Sequence, residues 1–238
     1  MESNKETAVQ SGNRGEQARH RLLKAGLKVF GEMGYEGAST RQIAREAGVN
    51  LSAITYHFGS KERLYHFVVE SMVGQIDAPL VPVTEQINTA FAHGTVSRDD
   101  ALALLEQLID TFAVRLLGIE DAQANRIVLI WIREQMTPSA AFDVLFERMA
   151  RSLVFPGCRL IAFLLGTSPD APECRVRMFF LIGQVLVFRI ARAAVQRAMN
   201  WDTYTEERIA LVRALIRQHV ATQFPAREES LALAAPTQ

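Results

Sequence analysis

Apolar residues recur at helical spacing along nearly the whole chain. Leu22, Gly26, Val29, Phe30 and Met33 share one face early on, and Leu102, Leu105, Leu108, Ile109 and Phe112 repeat the pattern further along. Steps of three and four residues place such positions on one side of a helix with 3.6 residues per turn. No stretch alternates strictly between apolar and polar positions with hairpin turns at its ends, so the pattern predicts an all-α fold. Its punctuation is equally readable. Ser39 or Thr40 can cap a short helix over 41–47, Gly48 can end it, and Ser60 opens another helix at Lys61. Pro79 and Pro82 close that helix and mark a boundary between a head and a larger body. In the body the pattern predicts helices near 82–93, 98–117, 122–136, 139–166, 172–199 and 203–223, with Pro156, Gly157 and Gly166 kinking or ending the fourth. The resulting division is a disordered arm over 1–14, a head over 15–76, a helical body over 77–225 and a flexible tail over 226–238.

The segment 39–58, STRQIAREAGVNLSAITYHF, fits two short helices joined by a tight turn. Ala44 is small where the first helix must nearly touch the second. Gly48, four residues on, supplies a left-handed turn, and Ile54 plugs the second helix into the angle. Ile43, Ala47, Val49 and Phe58 complete a small core. Ser52, Ala53, Thr55, Tyr56 and His57 are left on or near the outer side of a helix of about two turns, which suits insertion into a DNA major groove.

Composition bears on that reading. The 238 residues hold 26 Lys+Arg and 26 Asp+Glu, and a net charge of zero weighs against phosphate binding. The average hides an asymmetry: residues 1–66 carry 10 basic against 7 acidic groups, a net +3, and the remainder 16 against 19, a net −3. A slightly basic head on a slightly acidic body is the picture. With 49% hydrophobic residues the chain is globular rather than disordered. Two cysteines and five scattered histidines supply neither a disulfide framework nor a metal-ligand set, so no metal or cofactor is expected and a reducing cytoplasm is the expected compartment. Residues 1–15 are polar and carry no apolar h-region, so they do not read as a secretory signal. The most apolar run, 178–188, lies between Arg177 and Arg189 and is too short to span a membrane.

Residues 15–65 resemble the TetR family of bacterial transcriptional repressors. The resemblance rests on VFGEMGYEGAST, the helix-turn-helix RQIAREAGVNLSAITYHF and the following GSKERLY, with AITY standing where many members have a leucine followed by two aromatics. The body is similar to the CecR-type (YbiH-type) branch through REQMTPSAAFDVLFE at 133–147 and LIGQVLVFR at 181–189. The resemblance implies a three-helix DNA-binding head and a C-terminal helical ligand-binding and dimerisation domain. It places Leu51, Ser52, Ala53, Thr55, Tyr56 and His57 at the DNA face, with Thr40, Arg41 and Lys61 near phosphates at helix starts. Ser52 and Ala53 are small, so base readout is sparse and shape readout carries much of the specificity. Arg14, Arg19 and Arg21 either track the DNA backbone or form a solvated basic face. Lys61 opposes the dipole at its helix start, which argues for a role beyond solvation.

In the body, Trp131, Met136, Phe163 and Phe180 line a ligand cavity or simply pack a core. Arg133, Glu134 and Gln184 are polar groups inside apolar helices and need internal partners or a ligand. Pairing of Arg133 with Glu134 or another carboxylate is the plain alternative to ligand anchoring by Arg133 or Gln184. The resemblance implies that the last two helices pack against a second copy, and Leu181, Val185, Phe188, Val212, Leu215 and Ile216, alongside Ile209, are candidates for that interface or for the protomer's own core. The expected partners are double-stranded DNA, a second copy of the chain and an unidentified small-molecule effector. The expected function is a repressor released from a near-palindromic operator by that effector. No catalytic motif accompanies these features. The competing readings are a helical enzyme, or an adaptor that uses its head for protein contacts.

Overall fold

The computed structural model describes residues 3–94, 96–118 and 122–224, with side-chain surroundings from Gly15 onward. Among the described residues every regular element is helical: α1 (Ser3–Gly37), α2 (Thr40–Ala47), α3 (Ser52–Phe58), α4 (Lys61–Asp77), α5 (Val81–His93), α6 (Arg98–Leu117), α7 (Ala122–Met136), α8 (Phe142–Met149), α9 (Phe155–Leu165), α10 (Pro172–Ile190), α11 (Arg192–Met199) and α12 (Glu206–Gln223). The all-α expectation holds. α1 starts inside the stretch read as an arm, because adding turns to an existing helix needs no new nucleus. The proposed tail lies outside the described residues.

The chain forms two compact units. One comprises Met1–Gln75 with Asp121–Glu147, the other Ile76–Glu120 with Arg148–Gln238. The first stretch of unit one ends next to the boundary read at residue 76, but α7 returns from the sequence of the body to pack within the head's unit. Gly31 makes that packing possible. A Cβ there would stand 2.6 Å from the Arg126 Cβ, so α1 and α7 touch backbone to side-chain root. Leu22, Phe30, Ile43, Leu64, Val69, Met72 and Ile130 are fully shielded in this unit, each contributing about 1.5–3 kcal/mol by leaving water.

Unit two is organised around α6. Its Leu105, Leu108, Ile109, Phe112 and Ala113 are buried, and α9, α10 and α12 pack against it. Gly157 of α9 lets α10 close in, since a Cβ there would meet the Met178 Sδ at 2.3 Å. Asp110 of α6 receives Arg213 Nε at 2.8 Å and Arg217 Nη1 at 3.2 Å, fastening α12. Arg98 donates to the Leu164 carbonyl at 2.8 Å and the Phe224 carbonyl at 2.9 Å.

Two of the predicted long helices are each divided. The stretch 139–166 becomes α8, a π turn at Ala150–Val154 and α9. Pro156 has no N–H to offer the Ser152 carbonyl, and the Thr84 hydroxyl donates to it instead at 3.1 Å. The stretch 172–199 breaks at Ala191, where α10 and α11 bend by 78°. The Phe188 carbonyl is there taken by the Tyr204 hydroxyl at 2.8 Å. Among the described residues no single helix is long and apolar enough to cross a membrane.

The division of α10 and α12 into faces sorts the interface-or-core candidates. Leu181, Val185, Val212 and Ile216 point into this protomer's own core, and Phe188 is half-buried; of the six, only Leu215 is exposed. The apolar residues that face outward are Val176, Phe179, Phe180, Val187 and Ile190 on α10, with Leu211 and Leu215 on α12.

Candidate nucleic-acid interface

The α2–turn–α3 segment is built almost entirely from local rules. Ser39 Oγ accepts from the Gln42 N–H at 3.2 Å while Gln42 Oε1 accepts from the Ser39 N–H at 2.9 Å, a reciprocal cap that starts α2. Gly48 (φ 62°, ψ 40°) ends it in the left-handed region, and Val49 N–H returns to the Ala44 carbonyl at 3.1 Å. Asn50 Oδ1 then accepts from the Ser52 N–H at 3.2 Å to open α3. Ile43, Ala44, Ala47, Ile54 and Phe58 are buried as expected. Val49 is half-buried and Gly48 exposed, so these two form the turn rather than the core.

With Ile54 and Phe58 turned inward, α3 presents Ser52, Thr55 and Tyr56 to solvent, with Leu51 just ahead of it. Tyr56 is 84% exposed. Ala53 and His57 are half-buried, and the His57 ring packs edge-on against Tyr56 at 4.9 Å. Thr40 and Arg41 open α2, half-buried and exposed respectively.

Aromatic rings hold two cations beside this surface. Lys61 Nζ lies 4.4 Å from the centre of the Tyr35 ring. The Arg19 guanidinium lies over Phe58 at 5.5 Å and Phe67 at 5.1 Å, which ties α1 to α3 and α4. Arg21, Lys24 and Lys28 edge a cleft of about 230 Å³ closed by Glu46, Gln123 and Arg126. Lys28 pairs with Glu46 at 2.7 Å, an exposed contact that adds little stability.

Two adjacent residues of α7 grip the rest of the head. Gly34 (φ 75°, ψ 174°) interrupts α1 and leaves its preceding carbonyls short of in-helix donors. Arg133 supplies them, donating through Nη1 to Phe30 at 2.9 Å and Gly31 at 2.7 Å and through Nη2 to Glu32 at 3.3 Å. A cation at a helix C-terminus also meets the negative end of the dipole. Glu134 is 3% exposed. Its carboxylate accepts from the Tyr65 hydroxyl at 2.6 Å, the Ser139 N–H at 3.1 Å and the Ser139 hydroxyl at 3.0 Å. Burial, together with the Glu134 carboxylate, pushes the Tyr65 phenol far above its ordinary value. The Tyr65 ring packs on Phe30 at 4.9 Å and Tyr35 at 5.1 Å.

The expected Arg133–Glu134 pair is thus not formed. The two side chains leave α7 for different partners, one for carbonyls and one for hydroxyl and amide donors. Sequence reading singled out both as polar groups in need of partners but missed Tyr65, which carries no local signal. The six ligand candidates are divided between the two units. Trp131, Arg133 and Met136 belong to unit one, and Phe163, Phe180 and Gln184 to unit two. Met136 and Phe180 are largely exposed. The cavities of about 230, 400 and 200 Å³ in the head unit are lined by other residues. Among the described residues no cluster of three metal-ligating side chains occurs.

Comparison with known proteins points the same way. Residues 22–68 match the family described as bacterial regulatory proteins, tetR family, and residues 101–226 match the C-terminal domain of the HTH-type transcriptional dual regulator CecR. The chain is 32% identical to the HTH-type transcriptional dual regulator CecR of Shigella flexneri over 87% of its own length and 91% of that protein. To the HTH-type transcriptional repressor NicS of Pseudomonas putida it is 43% identical over 63 residues, covering 25% of this chain and 30% of that one. A transcriptional regulator from Rhodococcus sp. Rha1 shares the fold with a TM-score of 0.58 at 19% identity, over 86% of this chain and 96% of that one.

Proposed function

Because the chain belongs to the TetR family of bacterial transcriptional regulators, with the C-terminal domain of the CecR branch, and is thereby a DNA-binding regulator rather than an enzyme, we propose that it acts as a dimeric repressor released by a small molecule. Each protomer lays α3 in the major groove of one half of a near-palindromic operator. The observation that carries this is the outward face of α3. Ser52, Thr55 and Tyr56 stand free while Ile54 and Phe58 lock the helix from behind. Thr40, Arg41, His57 and Lys61 contact phosphates around it, and Leu51 and Ala53 offer small apolar contacts to base edges.

The second copy docks on α10 and α12. A lone chain would leave Phe179, Phe180, Val187, Ile190, Leu211 and Leu215 in water, and a dimer buries such a face. The effector binds among the helices of the C-terminal domain and acts only as far as it prefers one of two conformations. The test is selection of genomic fragments by the full chain, followed by a salt titration on the winning sequence. Steep salt dependence with sequence preference supports the reading, and absence of binding at low salt overturns it. Light scattering that reports a strict monomer at micromolar concentration overturns the dimer.

A further inference from the structure

We infer that Arg133 and Glu134 of α7 are positioning residues for operator binding: they set the pose in which α1 and α4 hold the reading helix. The inference deepens the proposed function and rests on a dimer that reads two half-sites.

The argument starts from where α3 is anchored. It contacts α1 and α2, with α2 itself packed along α1, and on the other side it is joined to α4 by only Gly59 and Ser60. Its orientation therefore follows the angle between α1 and α4. Both of those helices end or begin at groups held by α7. Arg133 takes three carbonyls at the break in α1, and Glu134 takes the Tyr65 hydroxyl one turn into α4. The two anchors are consecutive residues on one helix, so a rotation or slide of α7 pulls on both at once. A buried carboxylate with three donors tolerates little drift, because each lost hydrogen bond leaves part of its charge unsatisfied. Gly31 sharpens the coupling, since its contact with Arg126 leaves no slack between α1 and α7. None of these side chains belongs to the outward face of α3.

The test uses the full-length chain and operator fragments obtained by genomic selection, in versions whose half-sites are moved apart or together by one base pair. One base pair shifts and rotates one half-site against the other, so the spacing preference reads the placement of the two heads. Wild type binds one spacing best. Tyr65→Phe, Glu134→Gln and Arg133→Met flatten that preference and weaken the best site roughly 2- to 30-fold, the range of effects seen when coupling residues are changed. Arg133→Lys, which keeps the charge but loses the fork, recovers part of the preference. Circular dichroism gives the folded fraction in the same samples. Variants whose spacing profile matches wild type, with any loss of affinity explained by a smaller folded fraction, overturn the inference. Wild type that binds DNA without spacing preference removes the dimeric reading and this inference with it.

Discussion

The ammonium of Lys61 stands 4.4 Å above the ring of Tyr35, so a cation at the start of α4 is held by an aromatic residue at the end of α1. The contact restrains a side chain that otherwise has many rotamers. A pre-placed cation loses less entropy when it meets a phosphate.

Lys61→Ala is therefore expected to weaken binding by a similar factor on every DNA sequence. It should make the plot of log affinity against log salt shallower by about one unit per head. Tyr35→Leu, which removes the restraint but not the charge, should weaken binding with the salt slope retained. Fluorescence anisotropy across a salt series measures both. A Lys61→Ala slope equal to that of wild type would place the residue off the DNA backbone.

Gly48 carries the turn at φ 62°. An L-residue there bears a left-handed strain of about 1–2 kcal/mol. Gly48→Ala is expected to fold with a lower urea midpoint and an unchanged m-value. Equal midpoints would show that the turn relaxes without cost.

Asp110 accepts from both Arg213 and Arg217, and its hydrogen bond is the first cause of the raised Arg213 pKa. The three side chains are between 20 and 45% exposed, so solvent screening discounts the interaction. Asp110→Asn should cost about 0.5–1 kcal/mol in thermal unfolding, and the effect should vanish in an Arg213→Met, Arg217→Met background. Additive losses would mean that Asp110 stabilises through other contacts.

Cys158 and Cys174 are both buried, and burial pushes the Cys158 thiol from 9.0 up to about 11. A thiol whose pKa is raised on folding favours the native state below its unfolded value, and that contribution fades as pH climbs from about 9 through 11. A chromogenic disulfide reagent at pH 8 should therefore label the native protein far more slowly than the protein in urea. Immediate labelling of two thiols in the native state would show that these residues open to solvent.

What the sequence made legible follows the range of the interactions involved. The α2–turn–α3 segment was readable because Ser39, Gln42, Gly48 and Asn50 act within four residues of their partners. The attachment of α7 to the head was not, because Arg133 reaches carbonyls about a hundred positions earlier and Tyr65 lies 69 positions before Glu134. The faces of α10 stayed open between interface and core for a different reason. The run Met178, Phe179, Phe180, Leu181, Ile182 is apolar on every side, so periodicity alone does not say which residues point inward. The break at Ala191 was equally hidden, since alanine is a strong helix former and the Phe188 carbonyl finds its donor in Tyr204.

The return of residues 121–147 to the head's unit bears on how such regulators exchange parts. A chimera spliced once, near residue 76, would set a foreign α1 against this chain's α7. An alanine at position 31 would collide with Arg126, and a foreign residue at 65 would leave the Glu134 carboxylate short of a donor. A graft that transplants 1–75 together with 121–147 keeps both fits. In this protein the DNA-reading module is a discontinuous piece of chain, and swapping operator preference between relatives takes three junctions in the gene, after 75, before 121 and after 147, for each head that is moved.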